Sequence, residues 1–165
     1  NKFINYNLRL GNVDTKNNVL INREFEKEIN FRWPDHLHIY TDGSCSNGGI
    51  GCAFYSHQEE FKKLIKLPKY ASIFTAELIA IQIALDYIQE KNHPKVVIFS
   101  DSKSALSAIS KPKTNSNKII LEIVATLGSM AERNWSIHLI WIKGHLGIIG
   151  NTIADSLAKE ACILQ

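Results

Sequence analysis

Four carboxylates fall where a plain soluble domain has little use for a charge. Asp42 follows a β-prone run, Leu37 to Thr41. Glu77 lies at helical spacing from Ile73 and Ala80, in a segment apolar on two sides. Asp101 stands just beyond Val96-Val97-Ile98-Phe99, a continuous apolar run of the kind found in strands buried on both faces. Asp155 lies one turn into the last helical segment, beside Ala154 and Ala158. Each has a structural reading of its own: Asp101 as a helix cap, Asp42 as a turn residue, Glu77 and Asp155 as side chains reaching a solvated edge. Gathered in one place, they would repel and take up protons unless a cation neutralised them. Donors that are all oxygen suit Mg²⁺ or Mn²⁺ rather than zinc. Two such ions about 4 Å apart clamp the attacking and leaving oxygens of an in-line phosphoryl displacement, chemistry that needs no nucleophilic side chain. Spacing alone leaves open whether the four converge.

The elements that would carry them are legible from residue 36 onward. Leu37 to Thr41 ends in the turn signal Asp42-Gly43-Ser44, and Gly48-Gly49 opens a second run, Ile50 to Ser56. Glu60 to Leu67, closed by Pro68, reads as an edge strand. A long buried helix follows through Tyr87 and Ile88, and Asn92-His93-Pro94 stops it. After the apolar run come a short helix ending near Pro112, a helix over Ser116 to Arg133, an alternating strand over Trp135 to Ile142, and a glycine-rich loop, Lys143 to Gly150. A last helix begins near Asn151. The order βββ-α-β-α-α-β-α predicts an α/β domain over residues 36–165. Its five-stranded mixed sheet has three antiparallel strands, then two parallel ones, with helices on its faces. Asp101 then sits at the carboxyl end of a central strand, where sites form in such sheets. Residues 1–35 are rich in Asn and charge, with at most one helical turn over Glu24 to Ile29. They read equally as a linker from a longer polyprotein and as an arm packed through Phe31 and Trp33.

Five stretches in register carry a resemblance: Tyr40-Thr41-Asp42-Gly43-Ser44, Thr75-Ala76-Glu77-Leu78, Phe99-Ser100-Asp101-Ser102, Trp141-Ile142-Lys143-Gly144-His145, and Gly150-Asn151 through Ala154-Asp155. Over about residues 37 to 163 the chain resembles the type 1 ribonuclease H family, and looks most like the RNase H domain of a non-LTR retroelement reverse transcriptase. The resemblance implies an RNase H-like fold and an endonuclease that hydrolyses the RNA strand of RNA/DNA hybrids, leaving 3′-hydroxyl and 5′-phosphate ends. It implies two Mg²⁺, with Mn²⁺ possible, held by Asp42, Glu77, Asp101 and Asp155. Asp42 would bridge both ions, Glu77 and Asp101 would complete one, and Asp155 the other. His145 matches the family's mobile histidine, which assists proton movement or release of product. Backbone groups of Gly43, Ser44 and Cys45, with Glu77, match the contacts to RNA 2′-hydroxyls, the groups that tell RNA from DNA. Ser72 stands where the DNA strand is gripped, with Asn115 and Ser116 as candidates for the other side. Lys143 and Thr152 depart from the common pattern without touching a metal ligand. The short basic connection Lys111-Pro112-Lys113 lacks an inserted helix, which implies weak hybrid affinity and a reverse transcriptase domain in the same polyprotein as partner.

Composition sets outer limits. The chain has 165 residues, 45% hydrophobic and 21% charged, and a net charge of +3, which permits nucleic-acid binding without demanding it. No apolar run approaches the roughly 18 residues of a membrane span, so no membrane association is expected. Three cysteines with no metal spacing favour a reducing intracellular setting, nuclear or cytoplasmic. Lys62, Lys63, Lys66 and Lys69 read as a solvated edge that blocks strand pairing, or as phosphate contacts. Trp135 and Trp141 read as packing, and His36 and His38 as incidental neighbours. A competing function is a noncatalytic RNase H-like module that positions a polymerase. A third is a DNA-directed nuclease or transposase of the same fold, against which the Thr41-Asp42-Gly43-Ser44 start and the Gly144-His145 loop argue.

Overall fold

The computed structural model describes residues 4–5, 8 and 17–165. Its elements run β1 (Ile4–Asn5), α1 (Asn18–Arg32), β2 (Leu37–Ser46), β3 (Gly49–Ser56), β4 (Phe61–Leu67), α2 (Ile73–Glu90), β5 (Lys95–Ser100), α3 (Lys103–Ser110), α4 (Lys118–Glu132), β6 (Ser136–Trp141) and α5 (Ile149–Cys162). Asn47 and Gly48, both at positive φ, close the β2–β3 hairpin so that Ser46 pairs with Gly49. The β3–β4 pair is also antiparallel, whereas β2, β5 and β6 are parallel neighbours. The expected five-stranded mixed sheet is therefore present, in the order β4-β3-β2-β5-β6. The two-residue β1 adds a sixth strand, parallel to β6.

Both faces of the sheet are covered, which explains why β5 is apolar at four successive positions, Val96 to Phe99. Ile39, Val96, Ile98 and Leu139 face a core shared with α2, α3 and α4. The alternate residues Tyr40, Val97, Phe99 and Ile140 face a second core shared with α1 and α5. Four helices start on their own side-chain caps: Asn17 for α1, Ser72 for α2, Ser102 for α3 and Asn117 for α4. The α4 cap is why that helix begins at Lys118 rather than at Ser116. α5 has no such cap, since Ile148 occupies the position.

The N-terminal stretch corrects one expectation. In place of a single turn over Glu24 to Ile29, α1 runs for 15 residues. Its buried stripe is one residue wide, Ile21, Phe25 and Ile29, and the exposed Val19, Leu20 and Phe31 among many polar residues blur the period. Trp33 is buried with them, while Phe31 is 84% exposed and makes no part of the contact. Apart from residues 4–5 and 8, the expected linker before Asn17 lies outside the described residues. Among the described residues, no helix is long and apolar enough to cross a membrane.

Candidate active site

Asp42 comes to Glu77 because β2 and α2 cross at almost no separation. A Cβ on Gly43 would lie 2.8 Å from the Glu77 backbone nitrogen and 2.9 Å from the Ala76 side chain. Only glycine allows that approach, and it brings the residues on either side of the crossing into one cleft. Asp101 enters from the neighbouring strand. Its residue does not cap α3. Ser102 does, accepting a hydrogen bond from the Ala105 backbone, and so the Asp101 carboxylate is left to face the cleft. The Asp101 carbonyl accepts a hydrogen bond from Trp141 Nε1 at 3.2 Å. Asp42, Glu77 and Asp101 each present an oxygen within 4.8 Å of the others, in the one such group among the described residues. His36 and His38 join no such group. His36 instead shares the Ser136 hydroxyl with His138.

The fourth carboxylate stands apart from that triad. Asp155, on the second turn of α5, pairs with Lys159 at 2.8 Å, one turn further on. It remains close enough for its charge to reach both Asp42 and Glu77. The loop before α5 closes the site from above. A Cβ on Gly144 would stand 2.8 Å from Asp101 Oδ2. His145 follows it, exposed and at φ 59°.

The electrostatics are those of carboxylates crowded together out of water. Asp42 is 3% exposed and Glu77 8%. Burial, then the charges of Glu77, Asp101 and Asp155, push the Asp42 carboxyl up to about 10. Burial and the Asp101 charge push Glu77 up to about 8, against the effect of its hydrogen bonds to Asp42 and the Gly43 backbone. Glu77 Oε2 is buried with no hydrogen-bond partner. An orphaned carboxylate oxygen among two further carboxylates is a defect in a plain core and a ligand in a metal site. The donor set is all oxygen and fits a hard divalent cation.

The remaining sequence candidates are dispersed. Ser44 is buried, and its carbonyl accepts from Cys162 Sγ. Cys45 is exposed at the mouth of the hairpin. Ser72 caps α2, accepting from the Thr75 backbone and donating to the Thr75 hydroxyl. Ser116 accepts from the Lys113 backbone at 2.8 Å in the α3–α4 turn, with Asn115 exposed beside it. Three contributors escaped sequence reasoning as site residues. Asn151 is buried and donates to Asp101 Oδ2 at 3.4 Å. Its place beside Gly150 in a quoted motif was the available signal. Gly144 had the same kind of signal, and Lys159 was visible as the residue four positions after Asp155.

The sequence model described as RNase H matches residues 34–163. The chain belongs to the RNase H family. Its ribonuclease H of Orientia tsutsugamushi (strain Boryong) is 33% identical over 143 residues, covering 76% of this chain and 81% of that protein. Ribonuclease H1 of Homo sapiens is 28% identical over 144 residues, and this chain spans only 50% of the human protein. Among solved structures, LC11-RNase H1 in complex with RNA/DNA hybrid superposes with a TM-score of 0.59 at 20% identity, over 76% of this chain and 96% of that one. At that identity the likeness concerns the fold, and it agrees with the sheet order described above. The RNase H match begins at residue 34, so α1 lies outside it.

Proposed function

We propose that this RNase H-family chain is an endonuclease that hydrolyses the RNA strand of RNA/DNA hybrids, leaving 3′-hydroxyl and 5′-phosphate ends. The observation that carries it is the convergence of Asp42, Glu77 and Asp101 from three separate elements, with Glu77 Oε2 buried and unpaired. With Asp155 beside them, the four carboxylates suit two Mg²⁺, or Mn²⁺ in their place. Such a pair supplies charge neutralisation on both sides of an in-line displacement at phosphorus. Asp42, Glu77 and Asp101, whose oxygens lie within 4.8 Å of one another, are the proposed ligands, with Asp42 the one shared between the ions. Asn151 and the Trp141 indole fix Asp101. His145, which follows the glycine packed on Asp101, is proposed to move a proton at the leaving oxygen. Gly43, Ser44 and Cys45 offer backbone groups to the RNA 2′-hydroxyls, which would select RNA over DNA. Ser72, Asn115 and Ser116 are proposed contacts to the DNA strand.

We also read the chain as the partner of a reverse transcriptase within a retroelement polyprotein, in a nuclear or cytoplasmic setting. Supporting this are the motif resemblance and the bare seven-residue connection between α3 and α4, which carries only Lys111 and Lys113 as charges. An isolated domain of this kind holds the hybrid weakly.

The test is cleavage of an end-labelled RNA strand annealed to DNA, at low salt, with Mg²⁺, Mn²⁺ or EDTA, and with single-stranded RNA and duplex DNA alongside. Metal-dependent cutting of the hybrid alone is expected. No cutting by folded protein at high concentration, with or without an added reverse transcriptase, would leave the noncatalytic positioning module as the reading. A second prediction concerns Lys159, which competes with a cation for Asp155. Lys159→Met is expected to lower the Mg²⁺ concentration for half-maximal cleavage by about two- to fivefold, the worth of one exposed ion pair. An unchanged titration would remove Asp155 from the ion site.

A further inference from the structure

α5 carries Asp155 and Asn151, yet it starts without a side-chain cap of its own. The first backbone N–H groups of a helix have no partner inside it. One of them is met from far along the chain. Ile149 N–H donates to Asn22 Oδ1 at 2.9 Å, across 127 residues. The same amide donates through Nδ2 to the Gly147 carbonyl at 2.8 Å and to the Asn18 carbonyl at 2.7 Å. One carbonyl acceptor and two N–H donors are thus all used. Reversing the amide would set N–H against N–H and oxygen against oxygen, so its orientation is fixed. Gly147 itself sits at φ 85°, and a Cβ there would collide with the Asn18 side chain. The second half of the glycine-rich loop is therefore stapled to α1. The first half carries His145 and lies on Asp101 through Gly144.

We propose that Asn22 is a positioning residue for the active site: from a helix outside the family match, it caps α5 and fixes the loop that carries His145. The apolar docking of α1 does not depend on it. Ile21, Phe25, Ile29 and Trp33 make that contact, and Asn22 looks instead toward the loop. Asn22 thus couples a segment beyond the common domain to the spacing between Asp101 and Asp155. In its consequence for rate, the inference rests on the hybrid-cleaving reading above.

The experiment uses the full chain with Asn22→Leu, Asn22→Asp and, as a control on the same helix, the exposed Val19→Ala. Three quantities are read: hydrogen exchange of the Ile149 amide, affinity for Mn²⁺ alone by electron paramagnetic resonance, and kcat and KM on the hybrid. Asn22→Leu is expected to speed exchange at Ile149 by about five- to tenfold, the worth of one lost hydrogen bond. Mn²⁺ affinity should fall by about tenfold, as for loss of a group that orients ligands. kcat should fall by about ten- to a hundredfold with KM little changed, the cost of a small misplacement of reacting groups. Asn22→Asp keeps the acceptor for Ile149 but sets its second oxygen against the Gly147 and Asn18 carbonyls, so it should restore that amide's protection only in part and kcat little. Val19→Ala should match the wild type. Unchanged exchange at Ile149 in Asn22→Leu would overturn the clamp. Faster exchange with unchanged Mn²⁺ affinity and kcat would overturn its role in positioning. If the wild type cuts no hybrid, the cleavage reading fails separately, and exchange with Mn²⁺ affinity still decides the clamp.

Discussion

Asp42→Asn is expected to abolish hybrid cleavage and, in EDTA, to make the protein more stable. The loss of activity follows from the proposed role of Asp42 as a ligand shared by the ions. A divalent ion at a phosphoryl centre is worth several kcal/mol of transition-state stabilisation, so on that proposal losing Asp42 costs roughly a thousandfold or more in kcat. The gain in stability follows from burial. Asp42 is 3% exposed and lies against Glu77 and Asp101. Without a cation, folding must either bury mutually repelling charges or hold protons on groups that would otherwise release them. The sign is fixed by linkage. The ordinary values are 3.8 for Asp42 and 4.5 for Glu77, and folding raises both, Glu77 to about 8. Between those limits the folded state binds more protons than the unfolded chain, so stability falls as pH rises. Wild type in EDTA should therefore melt lower at pH 8 than at pH 5, and Mg²⁺ should remove much of that slope. The asparagine variant removes one of the charges. Its expected gain at pH 8 is about 1–4 kcal/mol, the range seen when buried ionic groups are replaced. For a chain of this size that is roughly 2–16 °C in melting temperature. Cleavage assays and thermal melts in EDTA and Mg²⁺ across this pH range read both effects. A flat pH profile in EDTA, or an asparagine variant that still cuts, would dismantle the site as described.

How much of this was legible in the sequence differs by element. The sheet and its parallel pairs were readable because their periods are clean: β5 is apolar at every core position and β6 alternates. The four carboxylates stood out because each contradicts its surroundings, and motif register supplied the convergence that spacing could not. α1 was not readable as a full helix because its buried stripe is a single row, set in a run of Asn, Glu, Lys and Arg. Asn22 was invisible for a different reason. Its partners, Gly147 and Ile149, are more than a hundred residues away, and an Asn four residues before Glu26 on a polar helix carries no local signal. Lys159 was readable in spacing, but that it pairs with Asp155 at 2.8 Å needed the structure.

Phe25→Ala tests whether α1 belongs to the folded unit or merely rests on it. Phe25 is 1% exposed, its ring meets Phe99 edge-on with centroids 5.2 Å apart, and Tyr40 stacks on Phe99 at 5.0 Å. Phe99 belongs to β5, which ends one residue before Asp101, and Tyr40 to β2, which carries Asp42. Removing a fully buried Phe side chain costs about 3–5 kcal/mol, by lost transfer energy and the cavity left behind. For this chain length that lowers the melting temperature by roughly 6–20 °C. A helix that only rested on a finished domain would give a surface-like cost within about 0.5 kcal/mol. Phe31→Ser, at an 84% exposed position of the same helix, is the matched control and should leave the melt unchanged. The large effect is expected because Val97, Phe99 and Ile140 are almost wholly buried, in the core that α1 and α5 share. The RNase H match begins at residue 34, yet this second face would be open to water without residues 18–33. The helix that completes the core on that face also supplies Asn22 to the loop that carries His145. Loss of Phe25 should therefore loosen the Ile149 amide as well as lower the melt, whereas Asn22→Leu should loosen the amide with a much smaller change in the melt.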